Sequence, residues 1–173
     1  MAGLQLRHRF LRLCLKNPSV EAHERAMAFM EEHRRHEAEH LEIMKALCGV
    51  TKSQTALIPV WHIAGLLTGF LPAVVGGQTA VYYTISAVET FVETHYLEQI
   101  TRLERENTAP ALRLTLEQCC ADEVEHRLEA EAALLSLRSE EHADPPAAVG
   151  AMKAWCRVVD FGSKQAVSVS RKL

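Results

Sequence analysis

A chain of 173 residues, 48% of them hydrophobic, is long enough to bury a core of its own as one domain over 1–173 and too apolar to remain disordered. Its formal net charge of −3 conceals a partition: residues 1–16 hold four basic residues and no acid, 153–173 hold five basic residues against Asp160, and 17–152 keep 10 basic against 21 acidic. A mid-section of formal charge −11 excludes a nucleic-acid groove as the expected partner surface, and carboxylates at that density call for counter-charge, a metal ion among the candidates.

Residues 4–16 suggest a short helix or the remnant of a longer first bundle helix (Leu4, Leu6, Phe10, Leu11, Leu13), although a basic, acid-free start also suits the tail of a mitochondrial presequence. Asn17-Pro18 ends it, and Ser19 is placed to cap a helix over 20–48, which Gly49 would close. Within that helix Ala26, Phe29 and Met30, then Leu41, Met44 and Leu47, bracket an unusually polar 31–40. Residues 56–88 contain no charged side chain, yet Pro59, Gly65, Gly69, Pro72, Gly76 and Gly77 interrupt the run. Pro72 and Gly76-Gly77 predict a 56–76 hairpin that enters one leaflet or covers the core, since a span needs about 20 uninterrupted apolar residues. A third helix is expected over 78–106 and a fourth from Pro110 to about residue 141, proline being tolerated in a first turn. Residues 147–172 alternate Met152, Trp155, Val158, Val159 and Phe161 with Lys153, Arg157 and Lys164, a basic amphipathic helix of the kind that packs on a bundle or lies on an anionic membrane. The cysteines, Cys14, Cys48, Cys119, Cys120 and Cys156, show neither a CxxC pair nor disulfide-framework spacing, which suits a reducing compartment.

Two stretches share one grammar: Glu37-Ala38-Glu39-His40 and Glu123-Val124-Glu125-His126. Residues three apart on a helix lie about 60° apart around its axis, so each Glu and His can address one object. Helices carrying such pairs, joined by a Glu from each of two others, form the ferritin-like di-iron carboxylate bundle. Glu89 is a lone acid in a helix otherwise apolar from Val81 to Val92, where a carboxylate needs a partner to offset its desolvation. An exposed charged face would explain Glu37 and His40 alone; the repeat and Glu89 favour metal. Oxygen-rich donors with one His per ion suit iron or manganese better than zinc. His36-Glu37-Ala38-Glu39-His40 also spells the H-E-x-x-H of zinc proteases, but Ile43 and Ala46 stand where an extended motif needs Gly and His.

The succession Glu37-x-x-His40, Ile58-Pro59-Val60-Trp61, Val88-Glu89, His95-Tyr96-Leu97-Glu98-Gln99-Ile100 and Asp122-Glu123-Val124-Glu125-His126 resembles the demethoxyubiquinone hydroxylase family of ubiquinone biosynthesis, and the likeness extends into the 162–173 tail. The resemblance implies an all-α fold, a ferritin-like four-helix bundle with additional membrane-facing amphipathic helices. It implies two iron ions held by Glu37, His40, Glu89, Glu123 and His126, with Glu89 bridging. It implies His95 and Tyr96 beside the quinone, Tyr96 on the face of Glu89 and His95 about 120° away. The activity implied is hydroxylation of a polyprenylated methoxy-benzoquinol with O₂, the penultimate step of ubiquinone synthesis. The setting implied is peripheral, on the matrix side of the mitochondrial inner membrane or the cytoplasmic face of a bacterial plasma membrane, with a lipid-binding accessory protein of the ubiquinone-synthesis complex as partner.

One departure accompanies the likeness. The family carries a further ligand Glu in an Asp-His-Ala-Gly-Glu segment of its first helix, and alignment of residues 2–13 with that helix puts the position at or just before Met1. The chain as written is therefore expected to bind two irons poorly. The competing expectation is a non-catalytic ferritin-like subunit that binds quinone, lipid or iron. No GxGxxG fingerprint is present, so electrons are expected from a partner or an external reductant.

Overall fold

The computed structural model describes residues 20–48, 52–140 and 146–170. These form four helices, α1 (Val20–Cys48), α2 (Lys52–Glu106), α3 (Pro110–Glu140) and α4 (Pro146–Ser170), and no strand occurs among the described residues. The class is the all-α one expected. The helices expected over 20–48, from Pro110 and over 147–172 form within a residue or two of those limits. The 4–16 segment, the Ser19 cap and the Gly49 cap lie outside the described residues.

The apolar stretch is interrupted at Gly76-Gly77 as expected, with helix over 78–106 beyond it, and departs from expectation at Pro72. Helical dihedrals run through Pro72, and the interruption falls only at Gly77, with φ 64° and ψ −151°. That combination is essentially restricted to glycine, because a Cβ would collide with the neighbouring carbonyl. Proline removes one amide and crowds the carbonyl four residues back, a penalty that a buried Pro72 recovers through packing. The break expected at Pro72 thus does not form, and residues 52–76 make one helical piece. By length and composition alone, Ile63–Glu106 is apolar enough to cross a membrane.

Two compact units partition the chain: Met1–Val81 with Ser170–Leu173, and Tyr82–Val169. In the first, Ala26 of α1 and Ala73 of α2 form a small buried cluster against Met30 and Val81. The outer face of α1 explains the polar run in its sequence: Arg34–Glu31 (2.6 Å), Arg35–Glu39 (2.7 Å) and Lys45–Glu42 (2.7 Å) are exposed pairs three or four residues apart. Each is worth about 0.2–0.5 kcal/mol, so they solvate the helix rather than hold the fold. On the first half of α2, Ile63, Leu66, Leu67, Phe70, Leu71, Val74 and Val75 are exposed. Their spacing of three and four residues makes them one continuous apolar stripe.

In the second unit, α3 returns antiparallel to the C-terminal half of α2. Arg113 meets Glu104, Arg127 meets Glu93 and Ser86 meets Glu131, one index falling as the other rises. The connection is a Schellman turn: the amide of Thr108 donates to the Leu103 carbonyl (3.2 Å) and that of Asn107 to Glu104 (3.1 Å), with Asn107 left-handed at φ 48°. Helix α4 is fastened to α2 by Trp155, whose Nε1 donates to Thr84 Oγ1 at 2.8 Å. Tyr82, Tyr96, Ile100, Leu116, Cys119, Ala130, Leu134 and Val159 are buried within this unit.

Candidate metal centre

Each unit carries its own set of donors. In the second, Glu89 enters from α2, and Glu123 and His126 from adjacent positions of one α3 face. All three are essentially buried, at 2%, 3% and 2% exposure. Glu123 Oε2 stands 3.4 Å from His126 Nδ1, and donor atoms of Glu89 and His126 lie within 4.8 Å of each other. The separation of three residues brings Glu123 and His126 to the same side of α3, as the helical repeat requires.

In the first unit Glu37 occupies the middle of an α1 stripe. His40, 6% exposed, follows it by three residues, and their donor atoms approach within 4.8 Å. His33 precedes it by one turn, with Nε2 at 3.9 Å from Glu37 Oε1. Sequence reasoning missed His33 as a donor and considered His36 instead. His36 Nε2 lies 2.7 Å from Arg35 Nη2, at the solvated edge of the helix. The signal available in the sequence was the seven-residue interval from His33 to His40, which returns to one face of a helix.

The donor chemistry fits a divalent ion of hard or intermediate character: carboxylate oxygens with one imidazole per Glu-x-x-His pair. Two donors each about 2.1 Å from one ion cannot lie more than about 4.2 Å apart. The 3.4 Å and 3.9 Å separations meet that limit. Both also exceed the roughly 2.7–2.9 Å of a charge-assisted hydrogen bond. Burying two carboxylates costs several kcal/mol each unless positive charge accompanies them, and a cation supplies it.

His95 and Tyr96 divide as their angular separation predicts. Tyr96 is buried, whereas His95 is half-buried, stacked on Phe91 at 6.0 Å, with Nδ1 at 3.9 Å from Glu98 Oε2. Tyr96 neighbours the thiol of Cys119, one turn before Glu123, a proximity that helical spacing does not reveal. Burial pushes the Cys119 thiol above its ordinary range, the charges of Asp122 and Glu123 push it further, and the Tyr96 hydrogen bond partly offsets them.

Residues 15–170 match the family model described as ubiquinone biosynthesis protein COQ7. The chain is 34% identical over 73 residues to the NADPH-dependent 3-demethoxyubiquinone 3-hydroxylase, mitochondrial, of Dictyostelium discoideum, covering 42% of this chain and 33% of that protein. It is 30% identical over 89 residues to the 3-demethoxyubiquinol 3-hydroxylase of Rhodospirillum rubrum, covering 51% of this chain and 41% of that protein. The chain thus spans less than half the length of these curated relatives. No solved structure matches. With nine-tenths of its length inside the family model and both Glu-x-x-His pairs within the matched region, the chain belongs to the COQ7 family of ubiquinone biosynthesis proteins.

Proposed function

We propose that this protein is a di-iron quinol monooxygenase that hydroxylates a polyprenylated demethoxyubiquinol with O₂. The observation that carries the reading is the buried trio Glu89, Glu123 and His126, two carboxylates and an imidazole gathered on α2 and α3 of a COQ7-family chain. In this reading Glu37 and His40 of α1 would hold iron together with Glu89, Glu123 and His126. Iron supplies the activation of O₂. The residues of the chain would do the rest: the carboxylates would balance the charge of the ion, and the burial of Glu89, Glu123 and His126 would keep bulk water from the site. Tyr96, buried beside the Cys119 thiol, would orient the quinol ring.

The exposed apolar stripe from Ile63 to Val75 would meet the acyl chains and admit the polyprenyl tail. The exposed Lys153 and Arg157 of α4, beside exposed Val158 and Phe161, would meet anionic headgroups. We place the protein peripherally on the matrix side of the mitochondrial inner membrane, or on the cytoplasmic face of a bacterial membrane, with a lipid-binding accessory protein of the ubiquinone-synthesis complex as partner. The Dictyostelium relative is named as NADPH-dependent; a reduced nicotinamide is accordingly the first electron source to test.

The test is turnover of a short-tailed demethoxyquinol by iron-loaded protein under O₂ and reductant, followed by mass spectrometry for a gain of one oxygen from ¹⁸O₂. Label incorporation that is lost in Glu123→Ala supports the reading. Tight quinone binding without incorporation identifies a non-catalytic binding subunit instead.

A further inference from the structure

Helix α1 holds three histidines within eight residues, His33, His36 and His40, and their angular positions differ. At about 100° per residue, His40 falls roughly 20° from His33 and Glu37 roughly 40° from it on the other side, while His36 stands about 100° from Glu37. Side-chain placement follows that geometry. His33 Nε2 faces Glu37 Oε1 at 3.9 Å, the His33 side chain being 17% exposed and that of Glu37 47%. Its ring stacks on Phe29 at 5.9 Å and 20°, which fixes the direction in which Nε2 points. His36, by contrast, neighbours the Arg35 guanidinium, a cation that would repel a metal ion.

We propose that His33 is a metal-ligating residue, sharing an ion with Glu37 through Nε2. The inference rests on the reading of Glu37 as an iron ligand and adds a nitrogen donor that neither Glu-x-x-His pair contains. A distance of 3.9 Å is too long for a hydrogen bond between the two groups, yet it lies inside the roughly 4.2 Å that two donors on one ion can span. Stacking on Phe29 removes part of the ordering cost that a free imidazole would incur on binding. The donor set of a bundle of this kind is a Glu from each of two helices and a Glu-x-x-His from each of two others. A histidine one turn before the Glu of such a pair adds a nitrogen donor to that pair from the same helix.

The experiment uses the full chain, stripped of metal and titrated with Co²⁺ as a spectroscopic probe and with Fe²⁺ under anaerobic conditions. His33→Ala, His33→Glu, His36→Ala and Glu37→Ala are compared, with apo-protein melting as the check on folding. His33→Ala is expected to weaken one bound ion at least tenfold and to change the Co²⁺ d–d bands. His33→Glu should restore binding through a carboxylate and give a third spectrum, so that a folding defect in the alanine variant does not decide the matter. His36→Ala should titrate like the parent. If His33→Ala and His33→Glu both retain parental affinity and spectrum while Glu37→Ala loses the ion, the role of His33 is overturned and that of Glu37 stands. If the parent chain takes up neither metal, or Glu37→Ala binds normally, the inference falls together with the reading beneath it.

Discussion

Arg127 of α3 donates from Nε to Glu93 Oε2 of α2 at 2.9 Å, one residue past His126 and one helical turn past Glu89. The same guanidinium reaches Glu131 through Nη1 at 3.2 Å. This half-buried contact joins the two helices beside the buried trio and sets their axial register. We expect Arg127→Met, which keeps the aliphatic stem, to cost about 1–2 kcal/mol after allowance for partial exposure. Metal affinity should fall with it, since a shift of α3 along α2 separates Glu89 from His126. Urea denaturation of the apo-protein and metal titration of the folded variant check the two effects separately, and Glu93→Gln in a double-mutant cycle should show coupling.

The left-handed Ala109, at φ 44°, carries strain that its neighbour Asn107 does not, because asparagine tolerates that region and alanine resists it. Ala109→Gly is expected to raise stability by about 0.5–1 kcal/mol, the relief being partly offset by the greater freedom of glycine in the unfolded chain. Asn107→Ala should lower stability by a similar amount. Both are read from denaturation midpoints, and neither should alter metal binding.

Burial holds the thiol of Cys156 above its ordinary value of 9.0. A group whose folded-state value is raised contributes stability that is complete below the unfolded value and disappears as pH climbs through the folded one. Stability is therefore expected to decline above about pH 9, and Cys156→Ala should flatten that decline. Alkylation by iodoacetamide at neutral pH should be slow in the native protein and fast once it is unfolded, because only the thiolate reacts.

The apolar stripe on α2 predicts a specific response to charge. Leu66 and Val75 are 66% and 63% exposed, so Leu66→Glu with Val75→Glu should leave folding intact and reduce sedimentation with lipid vesicles at least tenfold. Lys153→Glu with Arg157→Glu should weaken binding to anionic vesicles only, by about 1 kcal/mol per basic residue removed. Equal binding of parent and stripe variant to neutral vesicles would mean that this face does not contact lipid.

Much of the candidate site was legible in the order of residues. The helical repeat alone couples positions three, four and seven apart, so Glu123 with His126, Glu37 with His40, and Tyr96 on the face of Glu89 could be read without coordinates. A lone carboxylate among apolar neighbours marked Glu89 for burial, and it is 2% exposed. Prolines mark the starts of α3 and α4 locally, at Pro110 and Pro146, and those starts lie within a residue of the expected ones.

What periodicity leaves open is the absolute rotation of a helix and everything that depends on a neighbour. It relates His33, His36 and His40 to one another without saying which of them faces Glu37, and packing decided for His33 and His40. It cannot tell whether a proline breaks a helix or is carried by the packing around it, so of the two breaks it suggests in α2, Pro72 and Gly76-Gly77, only the glycine one forms. Contacts across tens of residues, Tyr96 with Cys119 and Arg127 with Glu93, have no local signature at all. Helical spacing is enough to say which donors share a face; which faces turn inward depends on packing, because that choice minimises exposed apolar surface over many segments at once rather than along any one of them.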